Sequence, residues 1–119
     1  MKISYIAHPI GGDVEGNLAK IRDIVREINL TEPDTVPFVP YYADCVSMDD
    51  SVAAERVRGI KNDHQFFYKG VIDEVRLYGD RISAGMKSEI ILARDYGIPV
   101  TPMTKETLWE FSTLNLMTA

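Results

Sequence analysis

Short apolar runs alternate along the chain with longer stretches in which apolar residues recur every three or four positions. The short runs predict strands, and the longer spacing predicts helices. The predicted strands are Ile3–Ala7, Val36–Val39, Val71–Tyr78 and Ile98–Val100. Strands that alternate with helices form a parallel sheet covered on both faces. We therefore expect an α/β fold, a three-layer sandwich with a small, mostly parallel, Rossmann-like (flavodoxin-like) sheet, as a single domain over residues 1–119.

The helix boundaries are predicted from residues that begin or end helices. Asn17 is expected to cap the first helix, and the segment from Thr31 to Asp34 is expected to end it. Further helices are predicted over Ser51–Ile60, over Ser83–Tyr96 with Ser83 as the cap, and from near Thr104. Gly97 is expected to stop the helix over Ser83–Tyr96.

Composition narrows the class of ligand. The net charge is -5 and the pI is about 4.9, whereas a protein that binds duplex nucleic acid normally carries a basic surface. Cys45 is the only cysteine, and His8 and His64 stand far apart, so we expect neither a disulfide nor a metal site. No apolar run approaches the roughly 20 residues that cross a bilayer. We expect a cytoplasmic protein without a cofactor whose partner is a small molecule.

In a parallel sheet of this kind, ligands bind where the strands end at their carboxyl termini. The segments that follow three predicted strands should therefore face one crevice: His8, Pro9, Gly11 and Gly12 after the first, Tyr41 and Tyr42 after the second, and Gly79, Asp80, Arg81 and Ser83 after the central one. The chain has neither the lysine of a P-loop nor a GxGxxG run. A Rossmann dinucleotide site is therefore not expected.

Glu89 is a candidate nucleophile. It lies within the first two turns of the helix that Ser83 is expected to cap, on the same face as Gly85 and Met86. Backbone N–H groups that are free at a helix start attract anionic or polar substrate atoms. The alternative is an ordinary capped helix in which Glu89 only faces the helix dipole. Tyr5 has a similar alternative, since an aromatic residue in a strand is often packed in the core.

Three segments carry a resemblance to a known family. They are the opening Tyr5-Ile6-Ala7-x-Pro9 with its Gly turn and Asn17, the acidic Asp73 near the central strand, and the run Ser83-Ala84-Gly85-Met86-Lys87-Ser88-Glu89 with Ala93 beyond it. Over most of its length the chain resembles the nucleoside 2-deoxyribosyltransferase-like superfamily. The S-x-G-x-x-x-E run is most similar to the deoxynucleoside 5'-monophosphate N-glycosidase branch, and small phage-type relatives of unassigned role are also similar.

The resemblance implies a catalytic role for three residues. Glu89 would attack the anomeric carbon of a deoxyribose, Tyr5 would orient Glu89 or the sugar, and Asp73 would hydrogen-bond or protonate the base. Ser83, with the neighbouring N–H groups of Gly85 and Met86, would hold a 5'-hydroxyl or phosphate. The resemblance also implies a homodimer or higher homo-oligomer.

The chain differs from these relatives at the start of the predicted crevice. His8 stands where relatives commonly carry a small residue, and Asp13 and Glu15 place two acids near the expected phosphate position. The predicted function is cleavage or transfer of the N-glycosidic bond of a 2'-deoxynucleoside or its 5'-monophosphate. The alternatives are a catalytically silent module that binds or sequesters a nucleotide, and an interaction protein that binds no nucleotide.

Overall fold

The sheet has four strands, all parallel, in the order β2-β1-β3-β4. The structure is a computed structural model that describes residues 1–118, with side chains described for residues 1–114. The strands are β1 (Lys2–Ala7), β2 (Thr35–Phe38), β3 (Glu74–Leu77) and β4 (Val100–Pro102). The helices are α1 (Val14–Thr31), α2 (Tyr42–Ser47), α3 (Ala53–Tyr68), α4 (Ala84–Asp95) and α5 (Lys105–Thr118). The fold is the predicted α/β three-layer sandwich, Rossmann-like or flavodoxin-like.

The alternation of side chains along β1 separates the two helical layers. Tyr5 and Ala7 are fully buried in the main core, where residues from α3, β3 and α4 surround them. Successive side chains of a strand point to opposite faces, so Ile6 faces away from this core. The buried residues of α1, which recur at helical spacing, are Asn17, Leu18, Ile21 and Ile28. The sheet is therefore buried on both faces, as its apolar strands predict.

The start of α1 differs from the prediction. Asp13 caps the helix, because its carboxylate accepts a hydrogen bond from Gly16 N at 3.1 Å. Asn17 is buried inside the helix, and its side-chain amide donates to Ile10 O at 2.9 Å. The prediction that Asn17 is the cap was wrong, although the residue does tie the helix to the loop that follows β1. The helix ends at Thr31 with Glu32 as its C-cap, within the segment that was predicted to end it.

The region between β2 and β3 is more helical than predicted. A short helix, α2, directly follows β2, and α3 runs to Tyr68 rather than ending at Ile60. β3 begins at Glu74, three residues later than predicted, and β4 begins two residues later. The cap at Ser83 is confirmed, since its hydroxyl accepts a hydrogen bond from Met86 N at 3.3 Å. None of the helices in the described part of the chain is long and apolar enough to span a membrane.

Candidate active site

A cavity of about 420 Å³ opens at the carboxyl end of the sheet. β1 pairs with β2 on one side and with β3 on the other, so the chain leaves β1 and β3 in opposite directions. This reversal opens a crevice between the two connections, where parallel α/β sheets bind ligands. Side chains from α2, α3 and the start of α4 line the rest of the cavity.

Three acidic or phenolic side chains meet beside this cavity: Asp63 and Glu89 line it, and the buried Tyr5 lies behind them and is not a lining residue. The Tyr5 hydroxyl lies 2.8 Å from each carboxylate oxygen of Asp63, and it also hydrogen-bonds Glu89. Tyr5 comes from β1, Asp63 from α3 and Glu89 from α4. Tyr5 and Asp63 are buried, whereas Glu89 is half-buried and lines the cavity beside Asp63. The fold thus brings together residues that are 84 positions apart in the chain.

A single hydroxyl group faces both carboxyl groups. A phenol has a single O–H, so Tyr5 donates to one carboxylate oxygen at a time. Glu89 and Asp63 therefore compete for one donor, and if both were ionised, two negative charges would lie against the same phenol oxygen. Like charges this close disfavour ionisation of both groups at once.

The surroundings favour a proton on this pair of carboxyl groups above the pH at which an ordinary carboxyl group loses it. Burial raises the pKa of Glu89 well above its ordinary value, and the nearby charge of Asp63 raises it further. Burial also raises the pKa of Asp63. Two interacting carboxyls titrate as a pair, so the pair releases its first proton more readily than its second. Burial and the charge of Glu89 likewise raise the pKa of Tyr5, which keeps it a neutral donor.

Aromatic side chains hold Tyr5 in place. Its ring centre lies 5.1 Å from that of Phe67 and 5.8 Å from that of Tyr41. The Tyr41 hydroxyl donates to Ile6 O in β1, so both ring and hydroxyl of Tyr41 are fixed. Tyr41 lines the cavity, as predicted for the segment after the second strand. Tyr42 instead accepts a hydrogen bond from Arg22 of α1 at 2.8 Å and is not among the cavity residues.

The first turn of α4 forms another wall. Ser83, Gly85 and Met86 all line the cavity together with Glu89, as predicted. A Cβ atom added at Gly85 would meet only the Ser83 hydroxyl, at 3.9 Å, so the wall is open at this point. The N–H groups at the start of a helix favour a polar or anionic ligand atom. Ser83, Gly85 and Met86, which were predicted to bind substrate, therefore line the cavity.

The loop after β1 is only partly on the cavity. His8 and Gly11 line it. Pro9 is buried and packs against Gly79, where an added Cβ would lie 2.6 Å from the Pro9 ring. Gly12 is exposed with a φ of 91° and is not among the lining residues. The predicted direct contact of Pro9 and Gly12 with a ligand therefore does not fit their positions.

Only part of the segment after β3 lines the cavity. Arg81 lines the cavity and forms an ion pair with Asp80 at 3.1 Å, whereas Asp80 and Gly79 are not among the lining residues. Gly79 lies behind His8 and Pro9 and has a φ of 92°. Gly79 therefore affects the cavity only through its contacts with His8 and Pro9.

Asp73 does not lie at this site. It is exposed at the amino end of β3, where its carboxylate accepts a hydrogen bond from Ile3 N at 2.7 Å. The cavity lies at the opposite end of the strand. The aspartate that lies beside Glu89 on the cavity is Asp63, which sequence reasoning missed because α3 was predicted to stop at Ile60.

The sequence did contain a signal for Asp63. No glycine or proline interrupts the chain between Ile60 and Gly70, so nothing there predicts the end of a helix. Asp63 and Phe67 are four residues apart and therefore share a helix face, and both are buried. A carboxylate on the same face as a core phenylalanine is a candidate functional residue.

Comparison with known proteins places the domain in a family. A family model described as a domain of unknown function (DUF7768) matches residues 2–103. The chain belongs to the DUF7768 family. The matched segment of this DUF7768 domain includes all four strands and every residue that lines the cavity. The chain has no significant match among curated proteins or among solved structures.

The DUF7768 cavity offers no recognisable metal site. Within residues 1–118, no three side chains of His, Cys, Asp or Glu are grouped so that they could hold a metal ion. Cys45 lines the cavity, where burial and the nearby charges of Asp50 and Asp44 raise the pKa of its thiol to about 11. This thiol is therefore protonated at neutral pH and is a poor nucleophile.

Proposed function

We propose that the protein cleaves or transfers the N-glycosidic bond of a 2'-deoxynucleoside or its 5'-monophosphate, with Glu89 as the nucleophile. The observation that carries this proposal is the contact of Tyr5 with both Asp63 and Glu89 at the cavity wall. Enzymes that cleave glycosidic bonds commonly use a pair of carboxyl groups. One attacks or stabilises the sugar, and the other transfers a proton. The resemblance of the segments around Tyr5 and Glu89 to the nucleoside 2-deoxyribosyltransferase-like superfamily supports the same chemistry.

The first step uses the proton that the pair shares. In the reactive form Asp63 holds this proton and Glu89 is ionised, with Tyr5 donating a hydrogen bond to it. A Glu89 oxygen attacks C1' of the sugar, the bond between C1' and the base nitrogen breaks, and the Asp63 proton moves to the leaving base. The products are a neutral base and a deoxyribosyl ester of Glu89, with Asp63 now ionised.

The second step restores the pair. Water or a second base attacks C1', and its proton passes to the Asp63 carboxylate. The ester bond from C1' to Glu89 breaks, and the Glu89 carboxylate returns to the Tyr5 hydroxyl. Water as the acceptor makes the reaction hydrolysis, whereas a second base makes it transfer. Both reactions share the covalent intermediate, which divides one difficult displacement into two easier ones.

The raised pKa of Asp63 fits its role as the acid, whereas the raised pKa of Glu89 opposes ionisation of the nucleophile, so the reactive form is the less populated arrangement of the proton. A general acid works best when its pKa lies near the working pH, and burial moves that of Asp63 upward in this direction. Tyr5 remains protonated and so stabilises whichever carboxyl group is ionised. We expect a bell-shaped dependence of the rate on pH, because the pair is active with one proton and inactive with none or with two.

The test is chromatographic detection of free base from a panel of deoxynucleosides and their 5'-monophosphates. Wild-type protein is expected to release base, and Glu89→Gln is expected to reduce the rate by at least about a thousandfold, because it removes the nucleophile. Glu27→Gln, on the exposed face of α1, is the matched control and should keep the wild-type rate. A second base added to the reaction separates transfer from hydrolysis.

No base release from any substrate, in a protein whose melting temperature still rises with nucleosides, would contradict the proposal and favour a binding module. Base release that persists in Glu89→Gln would also contradict it.

A further inference from the structure

One carbonyl group of β1 faces a proline where the hydrogen-bond ladder of the sheet would continue. Lys2 N donates to Asp34 O at 2.8 Å, and alternate residues of a parallel strand bond to the same neighbour, so Ile6 O also faces β2. In this register the next N–H along β2 would belong to position 40, where Pro40 has none. Ile6 is buried, so its carbonyl oxygen needs a donor from outside the ladder.

Tyr41 supplies this donor. Its hydroxyl donates a hydrogen bond to Ile6 O. Burial and the nearby charge of Glu89 raise the pKa of Tyr41, so the phenol stays protonated and remains a donor. The backbone of Tyr41 caps α2, and its hydroxyl is attached to β1 at the residue that directly follows Tyr5. The ring is therefore held at both ends.

This ring is one of three that surround Tyr5. The ring centre of Tyr5 lies 5.1 Å from that of Phe67, 5.8 Å from that of Tyr41 and 6.5 Å from that of Phe38. Of these three described rings, that of Tyr41 alone lines the cavity. Tyr41 is therefore the neighbour that fixes Tyr5 on the side where a ligand binds.

The position of the Tyr5 hydroxyl controls the ionisation of Glu89. Burial and the charge of Asp63 raise the pKa of Glu89, whereas the hydrogen bond from Tyr5 lowers it. A donor that is free to turn away would leave the ionised form of Glu89 without this stabilisation. The other titratable side chains near the pair include His64 on α3, Asp44 and Cys45 on α2, and Tyr41 itself.

We propose that Tyr41 is a positioning residue of the site, and that its ring, attached through its hydroxyl to Ile6 O, holds the Tyr5 hydroxyl against Glu89. This inference rests on the proposed function and adds a residue that acts on the nucleophile through Tyr5. Pro40 makes the arrangement possible, because it leaves Ile6 O free to accept from the phenol.

The first test follows the ionisation of Glu89 in the protein without substrate. NMR of the side-chain carboxyl carbons is recorded as a function of pH, and the Glu89 signal is identified by its absence from Glu89→Gln. Tyr41→Phe keeps the ring but removes its attachment, and we expect the titration midpoint of Glu89 to move to higher pH. An unchanged midpoint would overturn the inference.

Tyr42→Phe is the matched control for this titration. The Tyr42 hydroxyl accepts a hydrogen bond from Arg22 at 2.8 Å, and Tyr42 is not among the cavity residues. Its removal should leave the midpoint of Glu89 where it is in the wild type. A shift as large in Tyr42→Phe as in Tyr41→Phe would show a general effect of lost stability and would also overturn the inference.

The second test measures base release across the pH range. We expect Tyr41→Phe to lower kcat by about tenfold, the effect of one net hydrogen bond, with KM little changed. The limb of the profile on the acid side should move to higher pH in the same direction as the titration of Glu89. A rise in KM with unchanged kcat would show that Tyr41 only contacts the substrate, and the inference would be wrong.

A purely structural role of Tyr41 predicts a different result in a double variant. Adding Pro40→Ala to Tyr41→Phe offers Ile6 O a backbone N–H in place of the phenol. If the double variant regains the melting temperature and titrates like the wild type, Tyr41 serves only the sheet and the inference is wrong. A midpoint that stays raised supports the positioning role.

The double variant also replaces Tyr41→Phe if the single variant does not fold. Failure of both to fold would show that the hydroxyl is needed for the fold itself and would overturn the inference. If wild-type protein releases no base, the proposed function fails, whereas the titration of Glu89 without substrate still decides whether Tyr41 positions Tyr5.

Discussion

At the scale of single residues, Glu89 and Asp63 determine how the site titrates. Burial raises the pKa of Glu89 above the ordinary value near 4.5. Between pH 4.5 and the raised pKa, the folded protein therefore binds more protons than the unfolded chain. The free energy of unfolding therefore falls as pH rises through this window. The ionised form of Glu89 destabilises the fold, and that cost accompanies its proposed role.

Glu89→Gln should remove this loss of stability. We expect its melting temperature to exceed that of the wild type above the raised pKa of Glu89, with a difference that shrinks toward about pH 4.5. Thermal unfolding followed at a series of pH values measures the difference. Glu27→Gln should follow the wild type throughout. A difference that stays constant with pH would contradict the raised pKa.

A second prediction distinguishes two aspartates. Asp63→Asn removes the proton donor of the pair, and we expect a fall in kcat of about a hundredfold to ten-thousandfold. Asp73→Asn changes a carboxylate at the far end of the sheet, where an amide oxygen can still accept from Ile3 N. Its rate of base release should stay close to that of the wild type. A large loss in Asp73→Asn with normal activity in Asp63→Asn would reverse the assignment.

The contacts of Tyr5 with Glu89 and Asp63 show which residues of the candidate site the sequence could predict and which it could not. Glu89 and Tyr5 were found because each sits in a recognisable local pattern, a helix start and an opening strand. Asp63 pairs with Tyr5 across 58 positions, and no local pattern encodes such a contact. Its position depends on the length of α3 and on the packing of α3 against β1.

At the scale of elements, the turn after β3 shapes the cavity wall. Gly79 has a φ of 92°, and a Cβ atom there would lie 2.6 Å from the Pro9 ring and 3.5 Å from His8 Nε2. Gly97 also has a positive φ, 69°, but an added Cβ would meet nothing within 4 Å. Gly97→Ala therefore tests backbone strain alone, whereas Gly79→Ala adds a collision with a buried proline.

We expect Gly97→Ala to lower the free energy of unfolding by about 1 kcal/mol, and Gly79→Ala by about 1–3 kcal/mol more than that. Denaturant unfolding of both variants measures the difference. Equal losses would show that Pro9 can shift to accept the added methyl group without further cost.

The elements themselves were largely predictable, and their ends were not. The apolar runs identified all four strands, and Ser83 identified the start of α4. The start of α1 was misplaced by four residues because Asn17 and Asp13 are both good capping residues, and only the packed structure shows that Asn17 bonds to Ile10 O. The short helix α2 buries no residue fully, and so it left no apolar periodicity to detect.

At the scale of the whole molecule, a polar cluster joins the sheet to α1. Arg76 of β3 forms two hydrogen bonds to Glu32, the C-cap of α1, at 2.8 and 3.0 Å, and one to Glu74 at 2.8 Å. Glu74 also accepts a hydrogen bond from Ser4 of β1. Arg76 is buried, and breaking a buried ion pair leaves an uncompensated charge in the interior.

Arg76→Met is expected to lower the free energy of unfolding by about 3 kcal/mol, because Glu32 would lose its ion pair and Glu74 would keep only Lys2 and Ser4 as partners. Arg81→Met removes an exposed pair with Asp80 and should cost less than about 1 kcal/mol. Denaturant unfolding compares the two variants. A loss in Arg76→Met no larger than that in Arg81→Met would show that the cluster does not stabilise the molecule.

The cavity of the proposed chemistry lies at the carboxyl end of the sheet, where the alternation of strands and helices predicted a ligand crevice. The central claim is that Glu89 forms a covalent bond to the sugar. Its most direct test is the anomeric configuration of the methyl deoxyriboside that forms when methanol competes with water, determined by NMR. Two successive displacements through Glu89 predict retention, with no product in Glu89→Gln. Inversion of the configuration would show direct attack on the substrate and would contradict the account.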